Sequence, residues 1–434
     1  MNQTYQVRCL GTGDLLHDDG FLLANPASAK PALIRAEYAN RQLTVRPENP
    51  GIFRFADWLP VSRMLPGQGY PVTYRSENLA RKLGLERLYI TFSGYWPAMG
   101  AAMSTGTFKE CEAYAVCARY PQDSRRILVV ASAGNTARAF LKVASENRIP
   151  LVVVVPRMSL SELWQEKPLS PWVKILVSDN DSDYFDAIQL ADELCSQDGF
   201  QPEGGAKNIA RRDGMGTTVL SAVTSIGEIP DAYYQAIGSG TGAIAAYEAN
   251  LRLIQDGRFG NRVMSLRLSQ NRPFLPIYNA WQKKSRDIET YAADEARRLS
   301  SQLYAKVLAN RKPPYGPVGG LYDALAATGG EVLAVSNDEA KAARDLFAVS
   351  EGCDICPESG VALASLQQEL AGGQLDRSSL IMLNVTGGGQ ENIARDIKPK
   401  PVSADAAIDP DRATPEDKRA VFDRLRSEIL ASLG

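Results

Sequence analysis

The feature of this sequence that most constrains its fold is a regular alternation of short apolar runs with amphipathic stretches. Residues 127–131 and 151–155 are apolar runs of strand length, and an amphipathic stretch at about 137–147 lies between them. Two strands that are joined through a helix run in parallel, so this pattern predicts a βαβ unit. A chain that repeats such units is expected to fold in the α/β class.

The alternation continues through most of the chain. Further strands are predicted at 173–177, 233–237, 263–268, 332–335 and 380–385, with helical patterns between them. A chain of 434 residues is longer than one compact core usually covers, so we expect two lobes. The predicted organisation is an appended segment at 1–50, a larger lobe formed by 51–112 and 201–398, a smaller lobe at 113–200, and a linker with a C-terminal helix at 399–434.

Composition favours small-molecule chemistry. The chain is 44% hydrophobic and 23% charged, and its net charge of −2 gives no electrostatic footprint for nucleic acid or anionic lipid. The longest aliphatic run, 151–155, is far shorter than the roughly 20 residues that a membrane-spanning helix needs. The N-terminus lacks the apolar centre of a secretory signal, so the expected location is the cytoplasm.

The inventory of reactive side chains points to a cofactor or a lysine. His17 is the only histidine, which argues against a Ser-His-Asp or Cys-His site and excludes a histidine-rich metal site. Cys353 and Cys356 form a Cys-x-x-Cys pair, but no other cysteines have matching spacing, so no metal site is predicted. An enzyme of this composition would take its reactivity from lysine, carboxylates, hydroxyls or a cofactor.

The first candidate motif is Ser104-Thr-Gly-Thr-Phe-Lys109. Its small and hydroxylated residues predict a turn that delivers Lys109 at the start of a helix, where a desolvated amine can attack an aldehyde. A solvated lysine at a helix end is the structural alternative.

The second motif, Ser132-Ala-Gly-Asn-Thr136, lies at a predicted strand-to-helix turn. Backbone N–H groups at a helix N-terminus suit a carboxylate, and the side chain of Asn135 can face a ligand. A simple helix cap remains the alternative. Ser132, Gly134, Thr136 and, from the first motif, Thr105 are the candidate substrate-binding residues.

The third motif is the glycine turn made of Gly238, Ser239, Gly240, Thr241 and Gly242, which follows a predicted strand. Glycines allow backbone amides to approach a phosphate closely, and the two hydroxyls add donors. The Gly-Lys-Ser/Thr ending of a P-loop is missing, and the dinucleotide-binding fingerprint does not fit. The turn therefore predicts a phosphate cradle, with a tight packing turn as the alternative.

The fourth motif, Asn384-Val-Thr-Gly-Gly-Gly389, ends a late strand. It places Thr386 where strand ends in open α/β sheets meet ligands, although a structural turn would have the same sequence. A lysine nucleophile, an asparagine at a helix start, a phosphate loop and a strand-end hydroxyl together predict a pyridoxal 5′-phosphate (PLP) pocket.

The order of these four motifs resembles the fold-type II PLP enzymes, the group of tryptophan synthase β and threonine synthase. This resemblance implies two lobes, each with a twisted and mostly parallel sheet flanked by helices. It also implies that Lys109 carries the cofactor covalently, that Asn135 hydrogen-bonds its phenolic oxygen, that the glycine turn holds its phosphate, and that Thr386 meets its pyridine nitrogen.

Within that group, the stretches 33–38, 51–60 and 92–97 resemble the cysteate synthase family. This resemblance implies a β-replacement that joins O-phospho-L-serine with sulfite and releases phosphate, in a homo-oligomer. A paired-cysteine motif near the N-terminus is absent, since Cys9 has no second cysteine beside it. The candidates for binding the phosphate or sulfite are Arg119, Lys142, Arg157 and Arg311.

Two alternatives stay open from the sequence. The first is threonine synthase or another β-replacement with a different nucleophile, which would use the same PLP residues. The second is a non-catalytic binding protein that kept the fold.

Overall fold

Two sheets of mostly parallel strands organise the chain. The computed structural model describes residues 4–132, 134–179 and 184–434. Residue 133 of the second motif and most of the predicted acidic turn after the strand at 173–177 therefore lie outside the described residues.

The larger sheet has six strands. In spatial order they are Glu331–Val335, Ser265–Asn271, Ala232–Ala236, Leu380–Val385, Arg87–Phe92 and Val72–Arg75. All neighbours are parallel except the last pair, which is antiparallel. The strand predicted at 263–268 begins later, at Ser265, because Val263 is 46% exposed and precedes the pairing with the neighbouring strand.

The smaller sheet has five parallel strands. In spatial order they are Phe200–Pro202, Ile127–Ala131, Leu151–Pro156, Val173–Ser178 and Ala406–Ile408. The strand Leu151–Pro156 is buried along its whole length, as an apolar run covered on both faces of a parallel sheet requires.

The C-terminal part of the chain returns to the smaller lobe. The edge strand Ala406–Ile408 lies within the segment predicted as a linker, and three residues were too few for the sequence pattern to indicate it. The side chain of Asp405 fixes this strand by accepting a hydrogen bond of 2.8 Å from the backbone N–H of Ile175. The helix Pro415–Ser432 follows, and its buried side chains pack on the smaller sheet; they are Phe422, Leu425 and Ile429.

The N-terminal segment forms a small antiparallel sheet of its own, in the spatial order Leu15–Leu16, Tyr5–Cys9, Ile34–Tyr38. Its contacts with the body include the buried pair of Asp18 with Arg119 at 2.6 Å and a hydrogen bond of 2.6 Å from the hydroxyl of Tyr38 to Asp213. The segment is thereby attached to the end of the helix that begins at Lys109 and to the helix that begins at Ile209.

The α-helices of the described residues cover the sheets. They span Asn78–Leu83, Lys109–Arg119, Asn135–Glu146, Tyr184–Cys195, Ile209–Ile226, Thr241–Asp256, Pro276–Gln282, Ala293–Ser301, Leu321–Ala327, Asn337–Glu351, Pro357–Ala371, Gln390–Asp396 and Pro415–Ser432. Short 3-10 helices lie at Gly51–Trp58, Pro97–Met99, Arg157–Glu162, Gly205–Lys207 and Lys306–Leu308. Short ribbons pair Tyr95–Trp96 with Ala101–Ala102 and Trp164–Gln165 with Lys400–Pro401. None of the helices in the described ranges combines the length and the apolar character that a membrane span requires.

The helix Lys109–Arg119, called here the lysine helix, lies at the centre of the molecule. Every residue after Lys109 is buried, and the helix packs against both Asn135–Glu146 and Ile209–Ile226. A helix that is buried on all sides belongs to the interior of a protein. Its first residue, Lys109, is therefore held where the two lobes meet.

Candidate active site

Three of the four predicted motifs follow the carboxyl ends of parallel strands. Ser132 follows the strand Ile127–Ala131, the glycine turn follows Ala232–Ala236, and Thr386 follows Leu380–Val385. In open α/β sheets this edge is where ligands bind. The fold thus brings the polar turns of both lobes to one side of their sheets.

The lysine motif is hydrogen-bonded directly to the threonine motif. The backbone N–H of Phe108 donates to the carbonyl of Thr386 at 2.9 Å, and the N–H of Gly388 donates to the carbonyl of Gly106 at 3.0 Å. Thr107 and Gly387 form an antiparallel bridge between these contacts. These bonds place Lys109 beside the strand end that carries Thr386.

The glycine turn lies on the other side of Phe108. A β-carbon added to Gly242 would lie 3.2 Å from Cε2 of Phe108 and 2.8 Å from the amide of Gln235, so only glycine fits there without a shift. The hydroxyls of Ser239 and Thr241 are hydrogen-bonded at 2.9 Å, and Gly240 has a φ of 76°, which favours glycine. The lysine motif therefore lies between the glycine turn and the Thr386 turn and contacts both of them.

The ammonium of Lys109 is held by a buried carboxylate. Its Nζ lies 3.3 Å from Oε2 of Glu112, and its side chain is 19% exposed while that of Glu112 is fully buried. Glu112 also accepts a hydrogen bond of 2.9 Å from Thr136 and pairs with Arg211 at 3.1 Å. Glu112 thus ties the lysine helix to the start of the helix Asn135–Glu146.

Asn135 lies at the start of that helix with both ends of its amide engaged. Its Nδ2 donates to Oε1 of Glu358 at 3.1 Å, and its Oδ1 accepts from Arg138. Burial raises the pKa of Glu358, while the charges of Arg138 and Lys109 act against that rise. The amide therefore offers a donor, Nδ2, on the side of Glu358 and Lys109.

The candidate substrate-binding residues have different surroundings. The hydroxyl of Ser132 accepts from the N–H of Gly134 at 3.3 Å and of Ala137 at 3.0 Å, which is a helix-cap arrangement. The hydroxyl of Thr136 turns toward Glu112, as described above. Thr105 is 3% exposed, and its Oγ1 has no hydrogen-bond partner among the residues that the structure describes.

Of the four basic residues considered from the sequence, Arg119 is paired internally with Asp18 and Arg157 pairs with Asp179 at 2.6 Å on the surface. Lys142 pairs with Glu146 at 2.9 Å, and Arg311 lies 5.8 Å from the ring of Phe185. None of these pairings involves the four motifs, but Lys142 lines a cavity together with Ser104 and Thr105 of the lysine motif.

Sequence reasoning assigned no role in the site to three charged residues: Glu112, Arg138 and Glu358. Glu112 and Arg138 each follow a predicted site residue by three positions, a spacing that puts two side chains on the same face of a helix. That spacing was the available signal for both. Glu358 comes from a distant part of the chain and had no such signal.

The polar atoms of the site fit a polar ligand such as PLP. Buried side-chain atoms without a hydrogen-bond partner in the described ranges include Oγ1 of Thr105, Oγ1 of Thr107, Nε of Arg138 and Oδ1 of Asn384, which lie in or beside the four motifs. Buried polar groups in native proteins are rarely left unpaired. A lysine, a glycine turn and unsatisfied hydroxyls at one strand edge define the class of fold-type II PLP enzymes.

Comparison with known proteins agrees with this class. Residues 68–387 match the family described as "Pyridoxal-phosphate dependent enzyme". A protein of Methanosphaerula palustris named cysteate synthase is 47% identical over 401 residues, covering 91% of this chain and 92% of that protein. The cysteate synthase of Methanospirillum hungatei is 46% identical over 379 residues, covering 87% and 89%. The chain belongs to the PLP-dependent enzymes and, among them, to the cysteate synthase family.

Solved structures share the fold at low sequence identity. Maize serine racemase superposes with a TM-score of 0.55 at 15% identity, covering 76% of this chain and 92% of that one. Serine racemase from Dictyostelium discoideum superposes with a TM-score of 0.53 at 16% identity, covering 73% and 92%. The predicted fold class, α/β of fold type II, is confirmed.

Proposed function

We propose that this protein makes L-cysteate from O-phospho-L-serine and sulfite, with release of phosphate. The observation that carries the proposal is the position of Lys109, hydrogen-bonded through its motif to the Thr386 turn and adjacent to the glycine turn through Phe108. The similarity to proteins named cysteate synthase, at 45 to 47% identity, selects this reaction among the PLP-dependent ones.

Lys109 and Glu112 would act directly in the proposed reaction. Bound PLP would act as an electron sink that acidifies the α-proton of the amino acid and lets the β-substituent leave. Lys109 would hold the cofactor and, once released as a neutral amine, remove the α-proton and later return it. Glu112, held by Thr136 and Arg211, lies 3.3 Å from Nζ of Lys109 and would stabilise the ammonium that forms when this amine takes up the α-proton.

Three other motifs would orient the cofactor. The backbone N–H groups and hydroxyls of the turn Gly238, Ser239, Gly240, Thr241 and Gly242 would bind its phosphate. Nδ2 of Asn135 would donate to its phenolic oxygen. The hydroxyl of Thr386 would meet its pyridine nitrogen as a weak partner that leaves this nitrogen largely unprotonated, which favours expulsion of a β-substituent over transamination.

The test is a pair of incubations with purified protein. O-Phospho-L-serine plus sulfite should release inorganic phosphate and form cysteate in equal amounts, and a Lys109→Ala variant should do neither. Phosphohomoserine in place of phosphoserine should release no phosphate. Turnover of phosphohomoserine alone would overturn the proposal in favour of a threonine synthase.

Assembly and location belong to the same proposal. We infer a homo-oligomer from the family resemblance, and we propose a location in the cytoplasm, small-molecule substrates and no nucleic-acid partner from the composition and net charge of the chain. Sedimentation analysis of the purified protein tests the subunit count, and a monomer at micromolar concentration would contradict it.

A further inference from the structure

Arg138 is a buried cation without a buried anion. It is 8% exposed, yet its guanidinium forms no ion pair with a carboxylate of the described residues. Its bonds go to neutral acceptors: Nη1 donates to the carbonyl of Glu162 at 3.0 Å, and Nη2 donates to Oδ1 of Asn135. Its Nε is buried with no partner in the part of the chain that the structure covers.

The other buried arginines of the described chain show what is unusual here. Arg119 pairs with Asp18 at 2.6 Å, Arg211 with Glu203 at 2.6 Å, Arg212 with Glu248 at 2.8 Å and Arg252 with Asp213 at 2.7 Å. All four are at most 9% exposed. Burial of a charge is costly unless an opposite charge accompanies it, so each of these four guanidiniums has its carboxylate.

The carboxyl group of Glu358 does not neutralise the charge of Arg138. Glu358 interacts electrostatically with Arg138, but burial raises the pKa of Glu358 and so disfavours the charged form of this carboxyl group. Burial likewise lowers the pKa of Arg138, because the charged guanidinium is desolvated without a compensating anion. An anionic ligand would remove this imbalance.

The neighbours of Arg138 connect it to a cavity at the lysine motif. The ring of Trp164 lies 5.3 Å from its Cζ, and the side chain of Gln165 donates to its carbonyl at 3.5 Å. Trp164 and Gln165 line a cavity together with Thr105 of the lysine motif; Arg138 lies behind these two residues and is not itself part of the cavity wall. Thr105, which lines the same cavity, has a buried Oγ1 without a hydrogen-bond partner among the described residues.

We propose that Arg138 is the anion-binding residue of this site and takes a tetrahedral or pyramidal oxyanion, the phosphate of the substrate or the sulfite that replaces it. This inference rests on the proposed function and names one of its binding residues. A guanidinium presents donors in a rigid fork that matches phosphate and sulfur oxyanions, which a lysine ammonium does not. Binding through Nε would leave the bond from Nη2 to Asn135 in place.

The experiment measures anion binding rather than turnover. Sulfate and inorganic phosphate are titrated by calorimetry into protein saturated with PLP, so that the cradle for the cofactor's own phosphate is already filled. Sulfite is avoided as the probe because it adds to the cofactor's aldehyde carbon. Arg138→Met should raise the dissociation constant of both anions by at least about 30-fold. Arg138→Lys, which keeps the charge and loses the fork, should raise it about tenfold.

Two variants serve as controls. Arg157→Met removes an exposed arginine of the same lobe, and it should leave the affinity for both anions unchanged. Lys142→Met removes a cation that lines the same cavity but is already paired with Glu146. Loss of anion binding in Lys142→Met, with normal binding in Arg138→Met, would overturn the assignment.

The visible spectrum of bound PLP separates the remaining outcomes. If Arg138 only positioned Asn135, Arg138→Met would change this spectrum and leave the anion affinity intact, and the proposal would be wrong. If Arg138→Met fails to fold, unchanged affinity in Arg138→Lys would still contradict it. A wild-type protein that binds both anions through Arg138 but forms no cysteate would refute the proposed function and not the anion site. Wild-type protein that forms cysteate but binds neither anion would refute the anion site and leave the proposed function standing.

Discussion

Replacing Glu112 by alanine tests the central link between the two lobes. Its carboxylate is fully buried and contacts Lys109 at 3.3 Å, Thr136 at 2.9 Å and Arg211 at 3.1 Å. Removing one partner of a buried ion pair costs about 3 to 5 kcal/mol, because the other charge stays buried without compensation. Here Arg211 keeps its pair with Glu203 and Lys109 is partly exposed, so we expect a loss near the lower limit, about 3 kcal/mol.

A series of variants separates charge from hydrogen bonding. Glu112→Gln keeps an acceptor for Thr136 and should cost less, about 1 to 2 kcal/mol. The matched control is Glu146→Ala, which breaks the more exposed pair with Lys142 and should cost about 1 kcal/mol or less. The assay is urea unfolding of PLP-free protein, followed by far-ultraviolet circular dichroism. Equal losses for Glu112→Ala and Glu146→Ala would refute the reasoning, since burial would then make no difference.

Three further outcomes are expected. A β-carbon at Gly242 would lie 2.8 Å from the amide of Gln235, so Gly242→Ala should shift the glycine turn. The affinity for PLP, measured by fluorescence titration, should fall about tenfold. An unchanged affinity would contradict the assignment of this turn as the phosphate cradle. Phe422→Ala should destabilise the protein by about 3 to 5 kcal/mol in urea, because this 3% exposed ring fills the core between the C-terminal helix and the smaller sheet; a loss under about 1 kcal/mol would contradict that packing. Although burial opposes it, the hydrogen bond from Arg119 lowers the pKa of Asp18, so the stability that the pair contributes is present above the ordinary aspartate range and is lost as pH falls through the lowered pKa, below about pH 4. Asp18→Asn should therefore flatten the acid side of the melting-temperature profile, and an unchanged acid slope would exclude this contribution.

The sequence predicted most strands of the two sheets because burial leaves a direct mark on it, but it did not predict Val72–Arg75, Arg87–Phe92 or Phe200–Pro202. A strand such as Leu151–Pro156, covered on both faces, has to be apolar throughout, and three of the turns that follow parallel strands carry the glycine, serine, asparagine or threonine residues of the site. The edge strand Ala406–Ile408 left no such mark, because three residues make no periodic pattern and its partner strand is remote in the chain.

The charged residues of the site were harder to predict for a related reason. Arg138 and Glu112 have the required spacing from Asn135 and Lys109, but many surface residues have the same spacing from a neighbour. Only the packing of the two helices against each other decides that these side chains are buried. Burial without a counter-charge, the property that distinguishes Arg138, exists only in the folded chain.

The most direct test of the account is to locate the PLP-bearing lysine. Purified protein is reduced with borohydride, digested, and analysed by mass spectrometry for the peptide that carries a pyridoxyl group. We predict that this group is found on Lys109 and that the visible absorbance of the protein disappears on reduction. A pyridoxyl group on any other lysine, or on none in protein saturated with PLP, would contradict the assignment of this site.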